Sequence, residues 1–232
     1  MSTYLVNGCQ IETSRADVLA SLHRLMQEKV SFQPVITLNV SMFSAYESDP
    51  ELLEWLSEYG LFTPDGISIS MLIFKYYFRI VSRYPGIDMV HDLLVESSDY
   101  RVAMIGASSN HLAKASAYFH ATYPNHQLVF SLDGYSEFMD HEMQCLKEAR
   151  PDLVLVALGC PKQDYFLKRL ASELPSGVGI GVGGVFDVWA GAVSRAPLVL
   201  RWLGLEWLFR IILDPNRIRA WLMSLKYFVI RS

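Results

Sequence analysis

The chain has 232 residues, 51% of them hydrophobic and 19% charged, with a mean hydropathy of +0.21. That length supports one domain, or one domain with an appendage, and the composition excludes both intrinsic disorder and a peptide-like scaffold. The formal charge of −4 averages two unlike pieces: residues 1–193 carry 13 Lys and Arg against 22 Asp and Glu (net −9), and residues 194–232 carry 7 against 2 (net +5). An acidic body with a basic, aromatic tail points to an anionic partner at one end, such as a membrane surface or phosphate groups.

Met1 to Gln10 has neither the basic start nor the apolar run of a signal peptide. Cys9, Cys145 and Cys160 lie far apart without pairing or metal-finger spacing, so a reduced, cytoplasmic setting is expected. Lys75 stops the apolar run at Met71 to Phe74, and Arg201, Glu206 and Arg210 cut the one after Pro197. No transmembrane helix is expected.

In chain order, Pro34 to Asn39 reads as a buried strand ending on polar residues, followed by a helix over Pro50 to Tyr59. A turn at Thr63-Pro64-Asp65-Gly66 leads into an apolar helix from about Ile67 to Ile80. Four further strands are predicted at Arg101 to Gly106, Gln127 to Ser131, Asp152 to Leu158 and Val178 to Val182. Helices fall between them, at about Asn110 to Tyr123 and Tyr135 to Arg150. Near-continuous Val, Ile and Leu runs separated by helix-length segments predict an α/β fold, a Rossmann-like parallel sheet with helices on both faces. Residues 1–193 form that body, and residues 194–232 a helical C-terminal appendage.

In such sheets ligands bind at the carboxyl ends of the strands. Those ends here hold Thr37 and Asn39, Asp65-Gly66, Gly106-Ala-Ser-Ser, Asp133-Gly-Tyr135, Gly159-Cys-Pro-Lys-Gln163 and Gly183-Gly-Val-Phe-Asp187, which one crevice could gather. Glycines there either admit a phosphate close to the backbone or only tighten the turns. A dinucleotide GxGxxG between strand and helix is missing, as are Asp-x-Asp, HxxxH, GxSxG and a P-loop. Nicotinamide chemistry, a protein-bound catalytic metal and the common hydrolase and ATPase mechanisms are therefore not expected.

Asp65 is the most suggestive acid, since Thr-Pro-Asp-Gly sets a carboxylate on a tight turn between apolar segments. The alternative is an Asx-turn or a cap on the helix beginning near Ile67. Arg83 precedes a Pro-Gly turn and either holds an anion or is a solvated surface arginine. Gln163, near a helix start, either grips a ligand or merely begins the helix.

Thr37-Leu-Asn39, Thr63-Pro-Asp-Gly66, Gly159-Cys-Pro-Lys-Gln-Asp164, Gly181-Val-Gly-Gly-Val-Phe-Asp187 with Ala190-Gly191, Arg195-Ala-Pro197 and Gly204-Leu-Glu-Trp-Leu-Phe-Arg210, with Pro215 and Arg217 beyond, resemble the WecG/TagA/CpsF glycosyltransferases (family 26). The series runs in order over nearly the whole chain. The resemblance implies inverting transfer of a sugar from a UDP-sugar to a polyprenyl-diphosphate-linked saccharide, in assembly of a bacterial surface polysaccharide or teichoic-acid linkage unit. It places the general base at Asp65 and puts Thr37, Asn39, Arg83 and Gln163 along the substrate pocket. Gly66, Gly106, Gly134, Pro161, Gly183 and Gly184, with Tyr135 and Asp187, fall on the nucleotide side. Two departures stand out: Asp164 where the family usually has Glu, and Pro85-Gly86 where it usually has Thr-Gly.

Without Asp-x-Asp for a metal, the charge gathering on UDP falls to arginines and helix N-termini. Arg210, Arg217 and Arg219 of the tail can supply it, if the tail folds over the crevice as a lid. Between Arg195 and Arg231, seven basic residues interleave with Trp202, Trp207, Phe209, Trp221, Tyr227 and Phe228, as in an interfacial anchor. The alternative is that these aromatics pack on the body. The expected partners are thus the UDP-sugar, a lipid-linked acceptor and the anionic cytoplasmic face of the bacterial inner membrane; no cofactor and no nucleic acid are expected, and a homo-oligomer is left open. The competing class is a non-catalytic nucleotide-sugar or lipid-binding scaffold within a polysaccharide assembly complex.

Overall fold

The structure, a computed structural model, describes residues 3–97, 99–197, 199, 200, 205–213, 218, 222, 227 and 228, with only the backbone of Arg210 and Leu213. Strands β1 (Thr3–Val6) and β2 (Cys9–Glu12) form a hairpin whose two loop residues, Asn7 and Gly8, both have positive φ. Asn-Gly favours that mirror-image turn because Gly meets no steric penalty there and Asn only a small one. Helix α1 (Arg15–Glu28) starts at Ser14, whose side chain accepts the N–H of Asp17. Strand β3 (Phe32–Leu38), helices α2 (Met42–Ser48) and α3 (Pro50–Tyr59), strand β4 (Leu61–Pro64) and helices α4 (Ile67–Tyr77) and α5 (Gly86–Val95) complete the first half.

The second half alternates regularly: β5 (Arg101–Gly106), α6 (Ser109–Thr122), β6 (Gln127–Leu132), α7 (Asp140–Ala149), β7 (Leu153–Ala157), α8 (Lys162–Glu173), β8 (Gly177–Gly181) and α9 (Val185–Trp189). Helix α10 (Glu206–Leu213) follows. The strands make one eight-stranded sheet in the order β1-β2-β4-β3-β8-β7-β5-β6. Every pairing is parallel except that of β1 with β2. This is the Rossmann-like α/β class expected from the alternating apolar runs.

Alternate strand residues face opposite layers, which is how one sheet buries two sets of helices. Val102 and Met104 of β5 pack with α1, α5 and α6 through Leu22, Leu93 and Phe119. Ala103 and Ile105 of the same strand pack with α7 and α8 through Leu146, Leu167 and Leu170. A third cluster covers the β3 and β4 end, where Ile36, Leu38 and Phe62 meet Phe43, Leu56 and Leu72.

Three local expectations change. The Thr63-Pro64 segment, read as a turn, ends a strand, because Val35 to Leu38 of β3 pair in parallel with Leu61 to Pro64. Helix α7 starts at Asp140 rather than near Tyr135, since Asp133 Oδ1 accepts the N–H groups of Tyr135 and Ser136 and turns the chain there. Helix α4 stops at Tyr77, where Phe78 takes a left-handed φ of 52°.

Two described residues near the end of the appendage pack on the body, while Val199, Ile212 and Leu222 are exposed. Tyr227 is buried in the third cluster, its ring centroid 5.6 Å from that of Phe43, and Lys75 Nζ donates to Phe228 O at 3.0 Å. For Tyr227 and Phe228, packing on the body is what is observed. Trp202 and Trp221 lie outside the described residues.

Candidate active site

The parallel strands β4, β3, β8 and β7 end at the same level, so the residues after them converge. They line a cleft of about 210 Å³ that includes Thr37, Asn39, Asp65, Gly86, Cys160, Gln163, Gly183, Gly184 and Arg195. Thr37 is buried, and its Oγ1 donates to Gly181 O at 2.8 Å, tying β3 to β8 beneath the cleft. Asn39 Oδ1 accepts from Ser41 N at 3.1 Å and holds the turn into α2.

Asp65 N donates to Leu38 O at 3.0 Å, which seats the residue over the end of β3. Asp65 Oδ1 accepts the N–H of Gly86 at 3.2 Å. Gly86 is the first residue of α5, so the carboxylate meets the positive end of that helix dipole. The cap position of α4 belongs to Gly66. Asp65 therefore links the turn after β4 to the start of a different helix, which a cap on the helix near Ile67 does not describe.

Gln163, in the first turn of α8, is buried and its Oε1 accepts the N–H of Gly183 at 3.2 Å. Gly183 has φ +53°, a conformation that costs a glycine little and turns this N–H towards Gln163. The next residue, Asp164, has no solvent exposure. Its Oδ2 accepts from the Tyr46 hydroxyl at 3.3 Å, while Oδ1 has no hydrogen-bond partner among the described residues. Burial pushes its carboxyl up to about 6, against hydrogen bonds from Cys160 and Tyr46 that pull it down. Burial and the Asp164 carboxyl together raise the Cys160 thiol.

Over residues 5–232 the chain matches the glycosyl transferase WecG/TagA/CpsF family. It belongs to that family. The chain is also similar to the N-acetylglucosaminyldiphosphoundecaprenol N-acetyl-beta-D-mannosaminyltransferase of Bacillus subtilis (strain 168), at 33% identity over 195 residues, which cover 83% of this chain and 76% of that protein.

In this glycosyltransferase, Asp65, Thr37, Asn39, Gln163, Gly183 and Gly184 share the cleft, as one crevice at the strand ends predicts. Gly66 and Pro161 flank it as the cap residues of α4 and α8, and the Cys160-Pro161 peptide is cis. Arg83 is not among the lining residues. Its Nη1 lies 3.6 Å from Glu206 Oε2 of α10, so this arginine holds a carboxylate of the protein itself and is not a solvated surface residue. Gly106 and Gly134, at the ends of β5 and β6, are not among the lining residues; they hold two neighbouring turns together, where Gly134 N donates to Ala107 O at 2.8 Å. Tyr135 is 83% exposed beyond them. Asp187 lies on α9 and its Oδ1 is 2.7 Å from His111 Nδ1 of α6. The Arg210 side chain, Arg217 and Arg219 lie outside the described residues.

Among the lining residues to which the sequence assigns no role are Arg195, Cys160 and Gly86. Arg195, whose Nη2 is 2.6 Å from Asp88 Oδ1 on α5, enters from the start of the appendage. Arg195-Ala-Pro197 belongs to the series that carries the family resemblance, but by itself it marks an extended turn and says nothing of the arginine's target. Cys160 lies in the strand-end segment Gly159 to Gln163, and Gly86 in the Pro-Gly turn after Arg83.

Proposed function

We propose that this chain is an inverting glycosyltransferase that moves a sugar from a UDP-sugar to a polyprenyl-diphosphate-linked saccharide, with Asp65 as general base and no catalytic metal. The observation that supports it most is the placing of Asp65: its carboxylate sits at the cleft with Thr37, Asn39, Gln163 and Arg195, and Gly86 N–H fixes one oxygen. In a single displacement, the acceptor oxygen bonds to the anomeric carbon as the bond to UDP breaks, and the hydroxyl proton passes to Asp65. UDP leaves with its added negative charge. The N-terminal ends of α5 and α8 both face the cleft through Gly86 and Gln163 and favour that charge, and Arg195 adds a cation.

The Bacillus subtilis relative is named for transfer of N-acetylmannosamine to N-acetylglucosaminyl-diphosphoundecaprenol. N-acetylmannosamine is accordingly the first donor sugar to try, and a diphospholipid carrying a single sugar the first acceptor. Work at a lipid acceptor places the enzyme at the cytoplasmic membrane surface as a peripheral protein; among the described residues no helix is long and apolar enough to cross a membrane.

The deciding experiment mixes a panel of UDP-sugars with a short-chain lipid-diphosphate acceptor and measures UDP release. Wild-type protein should release UDP with one donor at undiminished rate in EDTA, whereas Asp65→Ala should turn over slower by about 10²–10⁴-fold with UDP affinity retained. No release with any donor would favour a binding scaffold. Turnover by Asp65→Ala near the wild-type rate would remove Asp65 as the base, and a strong EDTA effect would contradict the metal-independent step.

A further inference from the structure

Helix α4 runs from the cap beside Asp65 to Tyr77 and is apolar on more than one side. Ile69, Leu72 and Ile73 are buried under it, as a core-facing helix requires. Met71, Phe74 and Phe78 recur at the i, i+3, i+7 spacing of a second face, and all three are exposed, Phe78 by 80%. Phe74 and Phe78 stack edge to face, ring centroids 6.1 Å apart, and Ile80 beyond them is 92% exposed. Isolated exposed apolar residues are ordinary, but a contiguous aromatic stripe marks an interaction surface.

The segment that carries the stripe, Gly66 to Ile87, holds no Asp or Glu within a body of net −9. Of its three cations, Arg83 is paired with Glu206 and Lys75 donates to Phe228 O, while Arg79 is exposed beside the stripe. The stripe also adjoins the C-terminal segment, through Lys75 Nζ and Phe228 O. Eleven helical residues, about 16 Å of rise, separate its far end from the turn that carries Asp65.

We propose that the exposed face of α4, with Met71, Phe74, Phe78 and Ile80 as apolar contacts and Arg79 as flanking cation, docks on an anionic lipid surface and is a membrane contact of the body itself, separate from the tail. The proposal rests on the reading above that the acceptor is lipid-linked. Side chains of this kind enter the boundary between headgroups and acyl chains while neighbouring cations meet lipid phosphates. Docking along that face would lay α4 against the bilayer and hold its first turn, beside Asp65, near the headgroups, so that a diphosphate attached to a membrane-held lipid presents its sugar to the cleft.

The test uses full-length protein and vesicles of phosphatidylglycerol with phosphatidylethanolamine, against vesicles of phosphatidylcholine. Binding is read by co-sedimentation at low salt and at about 0.5 M salt, where screening weakens electrostatic attraction, that of the tail's cations included. Wild-type protein should prefer the anionic vesicles and keep measurable binding in high salt. Met71→Glu with Phe74→Glu, both at exposed positions, should weaken binding in high salt by at least about tenfold. Its melting temperature and its UDP release with a water-soluble acceptor should be unchanged. Arg79→Glu should reduce binding at low salt and have little effect at high salt. Wild-type vesicle affinity in the double variant would overturn the proposal. So would a wild-type dimer that the same substitutions dissociate without affecting vesicle binding, since the stripe would then be covered by a second copy. Vesicle binding needs no donor sugar, so a failure to release UDP would count against the proposed activity and leave this result standing.

Discussion

The two halves of the sheet's carboxyl edge are built differently. Around β3, β4 and β8 the cleft is held by side chains: Thr37 on Gly181, Asp65 on Gly86 and Gln163 on Gly183. At the ends of β5 and β6, outside that lining, the glycine turns rest backbone on backbone. Gly106 has φ +124°, and a Cβ added there would stand 2.3 Å from Ala157 O. The first half presents hydroxyl, carboxylate and amide groups to the cleft, while in the second the space beside Gly106 and Gly134 is filled by neighbouring chain, so glycine there serves close packing.

The largest break in that comparison should come from Gly106→Ala. Both the φ and the Ala157 carbonyl oppose the added carbon, so thermal or denaturant unfolding should show a loss of more than about 4 kcal/mol, or no folded protein at all. A nearly neutral result would mean that the backbone contact yields easily and that the second half is no stiffer than the first.

An effect of opposite sign is expected beneath the first half. The Asp164 carboxyl is raised from 3.8 to about 6 by burial. Because the folded protein holds its proton more tightly than the unfolded chain, this group's contribution to stability is fully present below about pH 4, falls as pH rises towards about 6, and is flat above. Asp164→Asn keeps an acceptor for Tyr46 without the buried charge. Unfolding at pH 7.5 should show a gain of up to about 3 kcal/mol over wild type, vanishing at pH 4. An equal change at both pH values would show that the ionised carboxylate is not the source.

The smallest effects separate two threonines that face each other across β3 and β4. Thr37→Val removes the donor to Gly181 O and should cost about 1–2 kcal/mol. Thr63 is fully buried, and its Oγ1 has no partner among the described residues. Thr63→Val should therefore leave stability unchanged or raise it by about 1 kcal/mol. Equal losses from both in denaturant titrations would show that packing, and not the hydrogen bond, distinguishes the half with side-chain ties.

Much of this fold is legible along the chain. The strands from β5 to β8 are short apolar runs with helix-length spacers, and each falls within a residue or two of its predicted place. The first half is harder. The Asn7-Gly8 hairpin carried a clear turn signal that composition-led reading passed over, and β4 is only four residues long and ends on a proline. A strand that short is fixed by its neighbours β3 and β2, not by its own pattern. In the site, Asp65 was visible because Thr-Pro-Asp-Gly is unusual between apolar segments. Arg83 and Arg195 look alike in sequence, yet one is bound to Glu206 and the other lines the cleft beside Asp88.

By itself, then, the sequence determined the fold class, the strand-end segments that carry polar and glycine residues, and the uneven charge along the chain. These follow from periodicity, turn chemistry and composition, all of which act between near neighbours. Only the tertiary structure decided which strand ends meet in one cleft, that Asp65 rests on the start of α5, and that Asp164 is buried beneath Gln163. It also decided that one apolar stripe of α4 faces outward. Each of these is a contact, or a missing cover, between residues far apart in the chain. No local pattern encodes such relations, because burial and partnership are properties of the packed layers.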